Sequence, residues 1–223
     1  YLKEIPVKVS VSELKKRSWH SEYEQEETVI YDRQEEEPPA AAFIADRQEE
    51  YKGAARGTAY HRFMECLDYS QTETDMQLQE QLLKLQDQKK IKEQEAQCIR
   101  INDIRSFLDS SLGRRMKKAG AEGKLYREQP FVITEKASQI NPLWNGEETV
   151  LVQGIIDAFF IEEEDIVLVD YKTDQVERGQ EQKLVDLYRV QLEDYSQALH
   201  RLTGKRVKEK IIYSFTLQKE IQL

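Results

Sequence analysis

Cysteine is nearly absent from this chain, since Cys66 and Cys98 are the only two among 223 residues. Two thiols far apart in sequence cannot build a disulfide framework, a four-thiolate zinc site or an iron–sulfur cluster. Disulfides persist in oxidising compartments and are rare in the cytosol. The sequence therefore predicts two reduced, buried cysteines in a cytoplasmic protein that has no iron–sulfur cofactor.

Long apolar runs are also missing. A helix that crosses a bilayer needs about 20 consecutive apolar residues, and no stretch of the sequence approaches that length. The chain begins with Tyr1 and shows no charged-then-apolar leader, so we expect no signal peptide and a piece of a longer protein. Hydrophobic residues make up 39% and charged residues 34%, which is typical of a globular domain with a polar surface.

Positive charge is in deficit, because 33 Lys and Arg face 42 Asp and Glu and leave a net charge of −9. A domain that grips nucleic acid unaided usually carries a basic excess, so composition alone argues against such a domain. The charge is uneven, however. Residues 21–50 are strongly acidic, whereas "RRMKK" (114–118) and "RLTGKRVKEK" (201–210) are basic. The simplest interpretation of each run is a solvated surface.

Helical spacing dominates the first half of the chain. Ser10 or Ser12 can cap a short first helix, and "GAARGTAYHRFMECLDY" predicts a second. The Gln-rich region 75–98 indicates a pair of surface helices. "INDIRSFLDSSLGRRMKKAG" predicts one amphipathic helix that Gly120 and Gly123 end.

Strand patterns dominate the second half. "KLYREQPFVIT", "TVLVQGIIDAFFIE" and "DIVLVDYKT" are rich in Val, Ile, Phe and Tyr, and the acidic link 162–166 makes the last two a hairpin. A helix over 181–203 and a final strand, "KEKIIYSFTLQ", follow. We expect a single α/β domain with a mixed central sheet flanked by helices. Its predicted parts are an N-terminal helix with an acidic connector (1–52), a helical part (53–120) and a sheet core (124–223).

Residues 167–174, "VLVDYKTD", end an apolar run with two opposite charges. Because side chains alternate along a strand, Asp170 and Lys172 point to one face and Tyr171 to the other. If the preceding strand is a neighbour in the sheet, Asp157 lies beside Asp170. Two adjacent carboxylates must share a proton or a cation, Mg²⁺ prefers such oxygen ligands, and a nearby lysine can orient a water. The alternative is a surface ion pair worth at most about 1 kcal/mol.

Five motifs in this order resemble those of the PD-(D/E)XK nucleases, in the branch typified by the nuclease domain of RecB. "QGIIDAFF" and "IVLVDYKTD" are similar to its two acidic motifs, and "RGTAYHRFME" to the helix that carries its metal-binding histidine. "YREQPF" is similar to its Arg-Glu-x-x-Phe strand and "QLEDY" to its Gln-x-x-x-Tyr motif. With "SVSELKKR" and "LYRVQLEDYSQAL", the resemblance extends over nearly the whole chain to the C-terminal nuclease domains of the AddA family. The regions 21–50 and 75–98 match least well.

The resemblance implies a role for each motif residue. One Mg²⁺, or two, would be held by His61, Asp157, Asp170 and the backbone carbonyl of Tyr171. The catalytic set, which includes two of these ligands, would be Asp157, Asp170, Lys172, Glu128, Gln191 and Tyr195. Basic residues on two helices and a loop would guide the DNA, namely Arg114, Arg115, Lys117, Arg201, Lys205 and Arg206.

Taken singly, three of these roles have structural alternatives. His61 can be a packed or surface histidine on a helix with apolar neighbours. Glu128 can pair with Arg127 or Lys124. The Gln191 and Tyr195 side chains, one helical turn apart, can serve only to pack helix against sheet.

The resemblance implies hydrolysis of phosphodiester bonds in single-stranded DNA that a helicase feeds to the site, in double-strand break repair and recombination. The helicase would be part of the same parent chain, and the second subunit of the AddAB complex would be a partner. No G-x-x-x-x-G-K-[ST] motif occurs, so we expect no ATPase activity in this chain. The alternatives are a DNA-binding or subunit-docking module without activity in isolation, and a free-standing PD-(D/E)XK exonuclease.

Overall fold

The computed structural model describes residues 5–11, 13–14, 53, 55–141, 144 and 147–223. Its strands are β1 (Lys8–Ser10), β2 (Leu125–Lys136), β3 (Thr149–Glu162), β4 (Asp165–Lys172), β5 (Val207–Ser214) and β6 (Lys219–Gln222). Its helices are α1 (55–66), α2 (Asp75–Asp87), α3 (Glu93–Ala96), α4 (Ile101–Asp109), α5 (Ser111–Ala121), α6 (Ala137–Ile140) and α7 (Glu181–Thr203), with a 3₁₀ turn at Tyr69–Gln71. Ser12 and the predicted acidic connector lie outside the described residues. The mixed sheet flanked by helices confirms the predicted fold class.

The strand β3 organises the six-stranded sheet. β2 pairs antiparallel with one edge of β3 along almost its whole length. The other edge is shared by β1, which is parallel, and β4, which is antiparallel. β5 runs parallel to β4, and β6 follows antiparallel to β5. The predicted β3–β4 hairpin is confirmed, and Glu163 in its turn has a φ of 59°.

Two hydrophobic clusters cover the two faces of the sheet. The first packs α1, α2, α4 and α5 against the sheet residues Ala158, Phe160, Tyr171 and Tyr213. The second packs α7 against Val152, Ile156, Leu168 and Ile212. Tyr171 points into the first cluster, so it faces away from α7, as alternation along β4 predicts.

The alternation of side chains in β3 changes at one level of the sheet. Ile156 belongs to the second cluster and Ala158 to the first, although they are two residues apart. In a regular strand such residues share a face, so the backbone turns over at Asp157. The residue opposite Asp157 on β2 is Glu128, and it has a φ of 47°, which non-glycine residues adopt rarely. Both irregularities lie at the level of the candidate site.

The strands β1 and β6 were not predicted from the sequence. They contain three and four residues, too few to show a period-two pattern. Ser10, the last residue of β1, caps the following turn, as predicted. Its hydroxyl accepts from the Glu13 N–H (3.2 Å), while its own N–H donates to Glu13 Oε2 (2.7 Å), which is a capping box.

The prediction of one helix over 101–120 was wrong, because two helices meet at Ser110. Its backbone is extended (ψ 166°) and its hydroxyl accepts from the Gly113 N–H, which caps α5. A Cβ on Gly113 would lie 2.1 Å from the Phe107 carbonyl oxygen. The corner therefore requires glycine. The predicted stop at Gly123 agrees with its φ of 69°, a conformation that glycine adopts without strain.

Both cysteines are free thiols. They are half-buried rather than buried, and each packs against the first cluster. Within the part of the chain that the structure describes, no helix combines the length and the apolar character needed to cross a bilayer.

Candidate active site

The candidate site lies where β3 and β4 part. Their last paired residues toward it are Ala158 and Val169, so Asp157 and Asp170 are the next residue on each strand. The Tyr171 N–H reaches across the gap and donates to Asp157 Oδ2 at 2.8 Å. Asp157 and Asp170 are thus brought to the same mouth of the sheet, as the sequence predicted.

Three elements contribute to a cluster of ligand-type side chains at this mouth. His61 on α1 places Nδ1 3.2 Å from Asp157 Oδ1. One donor atom each from His61, Glu128 and Asp157 lies within 4.8 Å of the others. Imidazole nitrogen and carboxylate oxygen are ligands of divalent cations, so this donor set fits a metal ion. Glu128 comes from β2 and lies beside the predicted ligands rather than in an ion pair with Arg127 or Lys124.

Asp170 and Lys172 form a buried pair rather than a surface one. Their exposed fractions are 0% and 9%, and Lys172 Nζ lies 2.5 Å from Asp170 Oδ2. Although the two atoms are close, this oxygen accepts no hydrogen bond of acceptable geometry from the described residues. A buried carboxylate oxygen without a hydrogen bond is costly. It is therefore suited to bind a further cation.

The helix α7 orients Asp170 from the opposite side. Gln191 Nε2 lies 3.4 Å from Asp170 Oδ1 and 3.1 Å from the Tyr195 hydroxyl oxygen, and donates to both. Gly154 on β3 allows this approach, since a Cβ there would lie 2.7 Å from the Phe131 ring and 3.1 Å from Tyr195. The Gln-x-x-x-Tyr pair therefore contacts the acidic site as well as packing helix against sheet.

Lys172 is held by a residue that was not predicted to belong to the site. Its Nζ lies 4.2 Å from the centroid of the Tyr188 ring, a favourable cation–π distance. The Tyr188 hydroxyl donates to the Asp174 carboxylate (2.9 and 3.0 Å). Helical spacing was the available signal, because Tyr188 precedes Gln191 by one turn on the same face.

Negative charge is crowded at the site. Burial and the neighbouring Asp157 raise the pKa of Glu128 to about 7. Burial, with Asp157 nearby, also raises the pKa of Asp170 to about 6 despite Lys172. Burial opposes the charge of Asp157, yet the His61 hydrogen bond lowers its pKa. A divalent cation would relieve this repulsion.

The two cations of the site keep their protons through the same acids. Burial alone would lower the pKa of His61, but its hydrogen bond to Asp157 raises it. Burial would likewise lower the pKa of Lys172, and the charges of Asp170 and Asp157 raise it instead. Lys172 is therefore an ammonium group in the site described here.

Two cavities adjoin at His61 and Gly57. The larger has a volume of ≈ 680 Å³, and its lining includes Arg62, Glu65, Glu128, Pro130, Ile155 and Asp157. The smaller has a volume of ≈ 380 Å³, and its lining includes Arg56, Lys172, Thr173, Asp174 and Tyr188. Cavities of this size accommodate a ligand of several hundred daltons. Together they give access to both sides of the acidic cluster.

The basic residues predicted to guide DNA do not line either cavity. Arg115 pairs with Glu162 and Glu209, each at 2.8 Å. Arg206 lies beside Ile166 at the far end of β4, roughly 20 Å from Lys172 at ~3.3 Å per residue. The remaining four each contact an acid or a carbonyl oxygen, in the pairs Arg114–Asp109, Lys117–Glu73, Arg201–Glu135 and Lys205–Glu164. The structure does not bring this set together with the acidic cluster.

The arginines at the cavities are Arg56 and Arg62, which were not predicted. Both lie in "RGTAYHRFME", so the motif itself was the signal. Arg56 donates to the Thr173 carbonyl (3.4 Å) and the Thr216 hydroxyl (3.2 Å), and it pairs with buried Asp103 at 3.4 Å. These contacts tie the His61 helix to the end of β4.

Comparison with known proteins agrees with this geometry. The PD-(D/E)XK nuclease superfamily matches residues 32–221. The chain is 37% identical over 231 residues, 98% of its length, to an ATP-dependent helicase/nuclease of the AddA type from Clostridium perfringens (strain 13 / Type A). It is 37% identical over 84% of its length to the protein of that name from Lachnoclostridium phytofermentans, and 35% identical over 95% to that from Thermoanaerobacter sp.. The chain spans only 18%, 16% and 17% of these relatives.

Proposed function

Because the chain belongs to the PD-(D/E)XK nuclease superfamily, we propose that it hydrolyses phosphodiester bonds in DNA with the help of a divalent metal ion. The observation that carries this proposal is the convergence of Asp157, Asp170 and Lys172 with His61 and Glu128 at one mouth of the sheet. An acidic cluster with a buried ammonium beside it suits a reaction at a phosphate.

Mg²⁺ is the proposed ion. The ligands would come from His61, Glu128, Asp157 and Asp170, with the Tyr171 carbonyl that the resemblance implies. The buried Asp170 Oδ2, which lacks a hydrogen bond among the described residues, and the donor cluster around Asp157 support this fit. When bound, such an ion supplies charge stabilisation at the phosphoryl oxygens and a lowered pKa for a coordinated water.

Lys172 has the role of a fixed cation in this proposal. Because Asp170 and Asp157 raise its pKa against the effect of burial, it donates hydrogen bonds to a water or a phosphate oxygen and does not take up a proton. The Tyr188 ring limits where its ammonium can lie. The Gln191 amide does the same for Asp170. Side chains held in this way need little reorganisation when charge develops on the phosphate.

The proposed substrate is single-stranded DNA delivered by a helicase, in break repair and recombination in the cytoplasm. The relatives' name includes both helicase and nuclease, and the chain spans 18% of the Clostridium perfringens protein. A helicase in the same parent chain, with the other half of the AddAB complex as partner, would hold DNA near the site. Tethering raises the local substrate concentration, which suits a nuclease domain whose own net charge is −9.

Cleavage of an end-labelled single-stranded oligonucleotide in Mg²⁺ tests this proposal. We expect the chain to cut it, EDTA to stop the reaction, and Asp170→Asn to slow it by at least about 100-fold. Asp186→Asn is the matched control, because Asp186 lies on α7 with 64% of its side chain exposed. Cleavage that survives Asp170→Asn would contradict the assigned site.

Thermal unfolding provides a second readout of the metal. We expect Mg²⁺ to raise the unfolding temperature of the chain and of Asp186→Asn, and to have less effect on Asp170→Asn, because a ligand that binds only the folded state stabilises it. Stabilisation by Mg²⁺ without cleavage would favour the alternative of a domain that is inactive in isolation.

A further inference from the structure

Two apolar side chains share the larger cavity with the carboxylates. Pro130 on β2 and Ile155 on β3 are register partners, and both line this cavity with Glu128 and Asp157. Ile155 is 53% exposed. A β-branched side chain exposed to this degree inside a cavity presents apolar surface to whatever enters it.

The position of this apolar floor follows from the turn-over of β3 at Asp157. Beyond that point Ala158 lies beneath the helices of the first cluster. Before it, the same face of the sheet carries Ile155 and Leu151, which are 53% and 38% exposed. The helical layer therefore ends at the acidic cluster, and apolar sheet surface begins there.

A ligand that uses both parts of the cavity must carry a phosphate and an apolar ring close together. A nucleotide has this chemistry, and the cavity volume of ≈ 680 Å³ lies within the range of about 300–1,000 Å³ that such ligands occupy. In a duplex the faces of the bases are stacked and unavailable. An unpaired base offers its face to apolar and aromatic side chains.

We propose that Pro130 and Ile155 seat the unpaired base next to the phosphate that is cut, and that this contact favours single-stranded over duplex DNA. The inference rests on the proposed nuclease function, and it adds two positioning residues and a physical basis for the choice of substrate. The contact is sequence-tolerant, because every base has an apolar face.

Two oligomers with the same number of phosphates test this inference, one of deoxythymidine and one that is abasic throughout. We expect Ile155→Ala to raise KM and the dissociation constant for the thymidine oligomer about five- to tenfold, and to leave both unchanged for the abasic one. The preference for single-stranded over duplex DNA should fall by the same factor. Ile155→Leu, which keeps the apolar surface, should retain the parent's values.

Val132→Ala is the matched control. Val132 is 55% exposed on β2, close to the 53% of Ile155, yet it does not line the cavity. The inference is overturned if Val132→Ala has the same effect as Ile155→Ala, or if the abasic oligomer is affected as strongly as the thymidine oligomer. Failure of the parent to cut either oligomer contradicts the proposed function instead, and anisotropy binding in EDTA then still decides the role of Ile155.

Discussion

Gly154 lies between two aromatic rings, three residues before Asp157. A Cβ at this position would be 2.7 and 2.9 Å from the Phe131 ring and 3.1 Å from the Tyr195 ring. Those two rings pack edge to face with their centroids 5.7 Å apart. Tyr195 in turn accepts from Gln191, so the missing side chain of Gly154 sets the distance between α7 and β3.

We expect Gly154→Ala to lower the free energy of unfolding by about 1–3 kcal/mol, because the added methyl overpacks the core. It should also slow DNA cleavage, since Tyr195 must move. Urea unfolding and cleavage rates provide the measurement. Gly120→Ala is the control: its Cβ would meet Leu125 at 3.6 Å, an ordinary contact, and Ala stabilises a helix relative to Gly by up to about 1 kcal/mol. Equal effects of the two variants would contradict this account.

Asp194 is a second residue whose surroundings predict a measurable effect. Burial, together with Glu135 and Glu193, raises its pKa to about 6, and its Oδ2 has no hydrogen-bond partner among the described residues. An unfolded Asp has a pKa of about 3.9. The folded state therefore binds this proton more tightly, and stability is lost as the pH rises from about 4 through 6.

We expect Asp194→Asn to be more stable than the parent at pH 7 by on the order of 1–2 kcal/mol. The difference should vanish near pH 4, where the parent carboxyl is protonated in both states. Urea unfolding at several pH values checks this. An advantage of Asp194→Asn that is the same at pH 4 and pH 7 would show that removal of the charge is not its cause.

Some residue-scale features of the site could be predicted from sequence, and others could not. Period-two alternation was enough to place Asp170 and Lys172 together and Tyr171 apart. The turn-over of the backbone at Asp157 and the φ of Glu128 could not be predicted, because they depend on how two long strands twist against the helices above them. No local sequence pattern encodes that twist.

At the scale of elements, Arg115 joins α5 to two strands at the end of the sheet away from the site. Its guanidinium donates to both carboxylate oxygens of Glu162 on β3 and of Glu209 on β5, at 2.8–2.9 Å. It also lies 5.4 Å from the centroid of the Phe160 ring. The hydrogen bonds from Arg115, against the effect of burial and with help from Lys208, hold the pKa of Glu162 at about 2.

We expect Arg115→Met to lower the free energy of unfolding by about 1–3 kcal/mol, because two carboxylates lose their charge-assisted hydrogen bonds. Its affinity for single-stranded DNA should match that of the parent. Denaturant unfolding and an anisotropy titration measure the two effects. Arg114→Met, on the exposed side of the same helix, is the control. Unchanged stability with weakened DNA binding would instead favour the sequence-based prediction that Arg115 contacts DNA.

The accuracy of the predicted elements depended on their length. The long strands β3 and β4 and the helix α7 show several periods of apolar residues and were predicted. β1 and β6 are too short to show one. The division between α4 and α5 was missed, because a periodic apolar stripe continues across Ser110 although the backbone does not.

At the scale of the whole molecule, the candidate site draws on five elements, α1, β2, β3, β4 and α7. The resemblance identified a motif on each of them, so the membership of the site could be predicted without a structure. The partners of the basic residues could not be predicted. Each basic residue expected to guide DNA contacts an acid or a carbonyl oxygen elsewhere on the surface, and such contacts between distant segments leave no trace in a local charge run.

The pairing of β4 also has a consequence for biosynthesis. A chain emerges from the ribosome with its N-terminal end first, so Asp157, Asp170 and Lys172 appear before Gln191 and before β5. Until residue 214 has emerged, β4 lacks its parallel neighbour, and a parallel pairing between distant segments forms late. If the chain cuts DNA as proposed, a half-synthesised copy has its acids but no ordered site. The order of translation thus protects the cell's own nucleic acid from incomplete copies of the enzyme.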